Sequence, residues 1–322
     1  QTAMETYSSS GFQSVAAEER EEVDEVVQVQ VEEANVEEAN VEEESNVEEQ
    51  ANVEEVEEEQ ATTEEATTEE SDNPIDTTLI IITSLIPTHP SLRIINQTID
   101  SLRFLQGLPS NSPLFISIDK PAQEKQPGDF DRLRQYIDNL NQTYGVLDHV
   151  TLIEAPGHVG ISGNIKQAVD RVQTKYLYMI QHDFAFARTI NHTETIQVME
   201  QYPKDMRIVR FNKRSNFAAG VDKGDCFGME TPVDNVNGLH FTKTKGWSDN
   251  NHLATKEYYD EVLGLFHEFF KVRARPVRYN MPLEWVMMNH AGSNCTWWGP
   301  HLYGARGEPP TLRHLDGRNT QQ

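Results

Sequence analysis

Beyond residue 76 the chain alternates short, fully apolar runs with stretches whose apolar residues fall at helical spacing. Thr78–Ser84 reads as an opening buried strand, and Pro87-Thr88-His89-Pro90 as the turn after it. Leu92, Ile95, Ile99, Leu102 and Leu105 then give a helix one apolar face. Leu114–Ile118 is a second strand, ended at Asp119 by Lys120-Pro121. Phe130, Leu133, Ile137 and Leu140 mark another helix, and Val150–Ile153 a third strand. Ile161, Ile165, Ala168, Val169 and Val172 keep one face of a third helix, with Ser162 as its N-cap after Gly157 and Gly160. Tyr176–Ile180 is too short for a helix and apolar on both faces, as a central parallel strand is. Strand and helix in this alternation build a parallel sheet with right-handed crossovers, so the spacing predicts an α/β fold.

Past residue 205 the rhythm changes. Arg207–Phe211 is a strand, and Asn212–Gly238 is loop-rich, broken by Gly220, Gly224, Gly228, Pro232 and Gly238. Leu239–Thr242 predicts a short strand, and Tyr258, Val262, Phe266 and Phe269 an amphipathic helix. Between them lies a polar cluster, Trp247-Ser248-Asp249-Asn250-Asn251-His252, whose Ser248 or Asp249 also suits a helix cap. Asn280-Met281-Pro282-Leu283-Glu284-Trp285 opens a short helical run, Val286–His290.

Charge divides the chain more sharply than hydropathy does. Residues 1–76 hold 27 Asp or Glu against Arg20 alone, a charge of −26; with the whole chain at −25, residues 77–322 come to +1. The tail repeats Val-Glu-Glu-Ala-Asn at Val31 and Val36, and echoes Thr62-Thr63-Glu64-Glu65 at Thr67–Glu70. It has few apolar groups to bury and repels itself, so residues 1–75 read as a disordered acidic spacer or stem. The 246 residues after it are near neutral, with no basic excess for nucleic acid, and suffice for one domain over 76–322. No apolar run approaches a membrane span. The chain starts at Gln1, so an upstream signal or anchor is compatible with it. Asn-x-Ser/Thr sequons at Asn96, Asn141, Asn191 and Asn294 fit secretion, and Cys226 and Cys295 are either one disulfide or two buried thiols.

The chemistry gathers where strands end. Tyr176–Ile180 runs into Gln181-His182-Asp183, which puts an acidic residue at the rim where open α/β sheets bind ligands. Asp119 occupies the same place on the second strand and can accept hydrogen bonds from a base N–H or ribose hydroxyls. His158 and Asn164 lie near that rim. The turn Gly157–Asn164, the helix running into a Tyr-Leu strand and the acidic tip together resemble the nucleotide-sugar half of GT-A glycosyltransferases, particularly the large inverting family 2-like group. The resemblance spans about residues 76–322 and is clearest over 79–186.

That resemblance implies a GT-A-like, Rossmann-like mostly parallel sheet flanked by helices. Residues 76–186 would form the nucleotide-sugar half and 187–322 the acceptor half. It implies Mn²⁺ or Mg²⁺ held by the tip aspartate against the donor diphosphate. Asp183 matches the last acid of the family's Asp-x-Asp, while Gln181 stands where the first usually is. Donor contacts carry over to Pro87, Thr88, Asp119, His158, Asn164, Gln181, His182 and Asp183. A C-terminal histidine, His314 or His301, would return to the metal, and Arg313 and Arg318 would brace the diphosphate. Trp247, Asn250, His252 and Trp285 would meet the acceptor, a glycan or a lipid-linked or protein-linked hydroxyl. Glu284 matches the catalytic base, with Asp249 as the other candidate. An acidic stem ahead of such a domain fits the Golgi or secretory lumen, with the cytoplasm as the alternative. Two other functions share these features. A nucleotidyltransferase would want Gly and Lys near its first strand, and Thr83–Pro90 has neither; a catalytically silent sugar-binding relative is suggested by Gln181.

Overall fold

The computed structural model describes residues 76–272, 277–278 and 281–315; the acidic tail and Arg318 lie outside the described residues. The apolar runs of the sequence become β1 (Thr77–Thr83), β3 (Leu114–Ile118), β4 (Val150–Glu154) and β5 (Tyr176–Gln181), with a short β2 (Leu105–Gln106) between the first two. They form a wholly parallel block in the order β4-β3-β1-β5, with Ile80 of β1 beside Phe115 of β3 and Met179 of β5. The crossovers are α1 (Arg93–Asp100), α2 (Asp129–Thr143) and α3 (Gly160–Val169).

Alternation along β1 decides what packs on each face. Leu79 and Ile81 join Ile95, Leu133 and Tyr136 in one cluster, while Ile80 and Ile82 join Ile165 and Val169 in the other. Ile80 and Ile81 are fully buried, and each such side chain contributes about 1.5–3 kcal/mol.

β5 is followed by β6 (Phe184–Phe186), β7 (Ile190–Asn191), α4 (His192–Gln201) and β8 (Ile208–Arg210). Next come β9 (Asn235–Val236), β10 (Leu239–Lys243), β11 (His252–Thr255) and α5 (Lys256–Val272), and then α6 (Leu283–Ser293), α7 (Cys295–Trp298), β12 (His301–Tyr303) and β13 (Leu312–His314). The sheet continues from β5 as β11-β8-β12-β10-β9, nine strands in all among the described residues. β11 is antiparallel to both β5 and β8, and β12 is parallel to β8. The α/β class holds, with the parallel order confined to the first half and a mixed second half. Outside this sheet β13 pairs antiparallel with β6, bringing the end of the described chain back to the tip of β5.

Several local expectations change. The helix from Leu92 stops at Asp100 and continues as a 3₁₀ turn, Ser101–Phe104, before β2. Ser162 is no N-cap: α3 begins at Gly160, whose φ of 67° suits glycine, and the Ser162 hydroxyl donates to Met281 O at 2.5 Å. Cys226 and Cys295 form a disulfide, which settles that alternative. Among the sequons, Asn96 lies within α1 and accepts from the Tyr144 hydroxyl at 2.9 Å, while Asn191 and Asn294 cap α4 and α7. No helix among the described residues is long and apolar enough to cross a membrane.

Candidate active site

The carboxyl ends of β1, β3 and β5 open onto two adjoining clefts of about 520 and 250 Å³ that share Ser84, Ile86 and Asp119. Strand ends collect ligands because the loops after them are free of the sheet's own hydrogen bonding.

Asp119 follows β3 directly and is buried at the junction. Its Oδ1 accepts the main-chain N–H groups of Lys120 and Val159, both at 2.9 Å. Oδ2 lies 3.2 Å from His158 Nδ1, which is also 2.8 Å from Lys120 O. Both neighbours of Nδ1 are acceptors, so that nitrogen carries the proton. The larger cleft is lined by Pro87 and by the cations Lys120, Lys125 and Arg132. Arg132 donates to Pro87 O at 3.1 Å and to Asp129 Oδ1 at 2.6 Å. Sequence reading missed Lys125 and Arg132; their signal was the acid–base pair Asp129/Arg132, three apart in the first turn of α2. Thr88 does not line either cleft, and its hydroxyl is buried without a hydrogen-bond partner among the described residues.

Asn164, expected at the donor, is a framework residue. Its amide donates to Thr83 O and Ser117 O, and its Oδ1 accepts from Ser117 and Gln167. It ties α3 to the ends of β1 and β3 and has no N–H left for a ligand.

The smaller cleft is lined by Gln181, His182 and Asp183. Asp183 Oδ2 lies 3.2 Å from His314 Nε2, and the main-chain N–H of Leu315 donates to Asp183 O at 2.7 Å. The His314 ring stacks on Phe184, its register partner across β13 and β6, with 4.6 Å between centroids. Of the two histidines the resemblance would bring to the metal, it is His314 that lies beside the tip acid. Burial works against ionising Asp183, but the His314 hydrogen bond and the nearby imidazoles outweigh it and hold the carboxyl below its usual range. Arg313, next to His314, is exposed. Lys213, absent from the sequence reading, sits over the Phe184 ring at 5.9 Å.

Asp183 Oδ1 and His182 Nε2 are both buried without a hydrogen-bond partner among the described residues. An orphaned carboxylate oxygen beside an imidazole suits a hard cation that takes its other positions from water and phosphate oxygens. Among the described residues no group of three or more His, Cys, Asp and Glu could hold a metal unaided.

His301 plays no part here. It lies within β12, three strands from β5, buried and paired in register with Val209 and Lys243. Two expected acceptor contacts are likewise core residues. Trp247 is fully buried with its Nε1–H donated to Tyr258 Oη at 2.9 Å. His252, also fully buried, begins β11 and bonds Tyr259 Oη through Nε2 at 2.6 Å. Trp285 is 38% exposed, edge-on to Phe269 in a separate groove of about 480 Å³ between α5 and α6.

The two candidate bases meet. The main-chain N–H of Asp249 points to Glu284 Oε2 in a long contact of 3.5 Å. Asp249 is buried, and burial followed by the nearby Glu284 carboxylate pushes its pKa well above the usual range. Glu284, at the start of α6, is half-buried. Gln181 joins this pair to the tip of β5, its Nε2–H donated to Asp249 O at 3.0 Å. Asn250, in the same loop, offers its carbonyl to His252 Nδ1 at 2.6 Å.

No family model matches the chain, and no curated protein does. Among solved structures it is similar to the mannosyltransferase PcManGT from Pyrobaculum calidifontis, in complex with GDP-Man and Mn²⁺, at 10% identity and a TM-score of 0.42, over 76% of this chain and 58% of that one. It is similar to S. aureus TarS 1–349 at 10% identity and 0.42, over 74% and 60%. Against a second S. aureus TarS structure the values are 8% and 0.43, over 75% and 37%. The chain thus spans less than two thirds of the length of each of these proteins.

Proposed function

We propose that the protein is a glycosyltransferase that moves a sugar from a nucleotide-diphosphate donor to a hydroxyl acceptor. The observation that carries this reading is the union, at one sheet rim, of the Asp183–His314 pair with the Asp249–Glu284 carboxylates. Beside them the larger cleft, with Asp119, His158 and three cations, offers acceptors to a nucleoside and positive charge to phosphate. Asp183 and His314 are the residues that would hold a divalent cation. When bound, such an ion supplies charge neutralisation to the departing diphosphate.

Burial disfavours the charged form of Asp249, and half-buried Glu284 serves as the base. Glu284 takes the acceptor hydroxyl proton as the oxygen attacks the anomeric carbon. The bond from that carbon to the diphosphate oxygen breaks, and the nucleoside diphosphate leaves with its electron pair. One carboxylate base without a covalent partner gives inversion. The acidic residues 1–75 serve as a stem, and the disulfide supports an oxidising, secretory setting.

A screen of nucleotide-sugar hydrolysis with and without Mn²⁺ tests the reading. Turnover is expected with metal, and Asp183→Asn should lower it by at least about a hundredfold and weaken the metal dependence. An Asp183→Asn enzyme with wild-type turnover would refute the assignment. Gln181 favours one other reading, a silent sugar-binding relative, which the same screen would reveal as donor binding without hydrolysis.

A further inference from the structure

Position 181 is where the resembling group carries an acid of its metal motif, and here the side chain is bonded elsewhere. We infer that Gln181 is a positioning residue rather than a weakened metal ligand. Its carboxamide clamps the 247–252 loop to the tip of β5, and so sets the Asp249–Glu284 pair against the donor end. This deepens the transferase reading above and rests on it.

Three hydrogen bonds make the clamp. Gln181 Nε2–H donates to Asp249 O at 3.0 Å, and the Gln181 main-chain N–H donates to Asn251 Oδ1 at 3.0 Å. Asn251 is fully buried and passes its own Nδ2–H to Phe184 O at 3.1 Å. The loop is thus held on both sides of His182-Asp183, the stretch that carries the tip acid. On its far side the same loop presents the Asp249 N–H to Glu284.

Only a side chain with an N–H at this reach satisfies the Asp249 carbonyl. A glutamate would set a negative oxygen against that carbonyl, next to two further carboxyl groups, and an aspartate is one methylene too short. A carboxylate at 181 would leave the Asp249 carbonyl without its donor, and the loop would keep only the two bonds made through Asn251. The motif's missing acid is therefore an exchange of one function for another: the tip keeps one acid and His314, and the vacated position orients the base.

The test compares Gln181→Glu and Gln181→Asp with the wild type in the full chain, using hydrogen exchange, Mn²⁺ binding by electron paramagnetic resonance, and hydrolysis of UDP-glucose, UDP-N-acetylglucosamine and GDP-mannose. In Gln181→Glu, amides of 247–252 should exchange at least about tenfold faster while β1 and β3 are unchanged. Its kcat should fall about ten- to a hundredfold, with donor KM and Mn²⁺ affinity within about twofold of wild type. A general loss of folding would not produce that split. Should Gln181→Glu fail to fold, Gln181→Met removes the donor without adding charge and carries the same expectations. Either acid variant binding Mn²⁺ about tenfold more tightly, with loop exchange unchanged, would make 181 a ligand position and overturn the inference. If the wild type hydrolyses none of the three sugars, it is the transferase reading that fails. Loop exchange and Mn²⁺ affinity then still decide the clamp.

Discussion

Two carboxylates side by side cannot both be the base, and their surroundings separate them. Asp249 is buried and pushed toward its protonated form, so Asp249→Asn should change kcat by less than about tenfold. Glu284→Gln should lower kcat by at least about a hundredfold and leave donor affinity nearly intact, which separate measurements of turnover and binding would check. The reverse pattern would move the base to Asp249. A second residue-scale prediction concerns Lys243, buried with its ammonium donated to the carbonyls of Gly299 and Thr296. Burial lowers its pKa from 10.5 to about 8. Between those values the unfolded chain holds a proton that the folded one has lost, so stability rises with pH across that window, by on the order of 3 kcal/mol. Urea unfolding from pH 7.5 to 9.5, below the range in which the buried tyrosines oppose it, should show the rise, and Lys243→Met should abolish it. Residue type alone misled the sequence reading at Trp247, His252 and His301. Indole and imidazole are amphipathic, as apt to satisfy themselves inside a core as to meet a sugar or a metal. The positions of Asp119, Asp183 and Glu284 were legible because each stands just past a strand or at the start of a helix, which the apolar periodicity marks.

At the scale of elements, legibility followed the length of the periodic signal. β1, β3, β4 and β5 are apolar runs flanked by turn residues, and each appears within two residues of its expected bounds. β11 escaped because its four residues, His252-Leu253-Ala254-Thr255, carry no alternation and open with what read as site residues. The pairing of β13 with β6 spans more than a hundred residues of chain, and no local pattern encodes such a partner. The disulfide is likewise non-local, joining the segment before β9 to the start of α7 across 69 residues. Closing a loop of that size restricts the unfolded chain, so Cys226→Ser should lower stability by about 2–4 kcal/mol in denaturant titrations. Mn²⁺ affinity should not change with it, because Asp183 and His314 are held by β5, β6 and β13.

The whole molecule carries an acid sensitivity spread over its core. Burial holds the His89 pKa down to about 3 and that of His252 to about 4, and it also lowers His182, His192 and His301. Below the ordinary value of 6.5 the unfolded chain takes up protons that these buried rings refuse. Stability therefore falls as pH drops from 6.5 toward the folded values, at up to about 1.4 kcal/mol per pH unit for each ring. Circular dichroism melts should show most of the stability gone between pH 6.5 and about 4.5, and His89→Phe should flatten the slope.

The placement of β11 also bears on the order in which the protein comes to exist. β5 cannot acquire its antiparallel neighbour until His252–Thr255 has been synthesised, some seventy residues after Gln181. At about 5–20 residues per second the ribosome needs roughly 4–14 seconds to cover that distance. During that interval the nascent chain shows an open edge carrying Tyr176–Ile180, the kind of surface that recruits other strands. A gene cut after residue 186 would make that interval permanent.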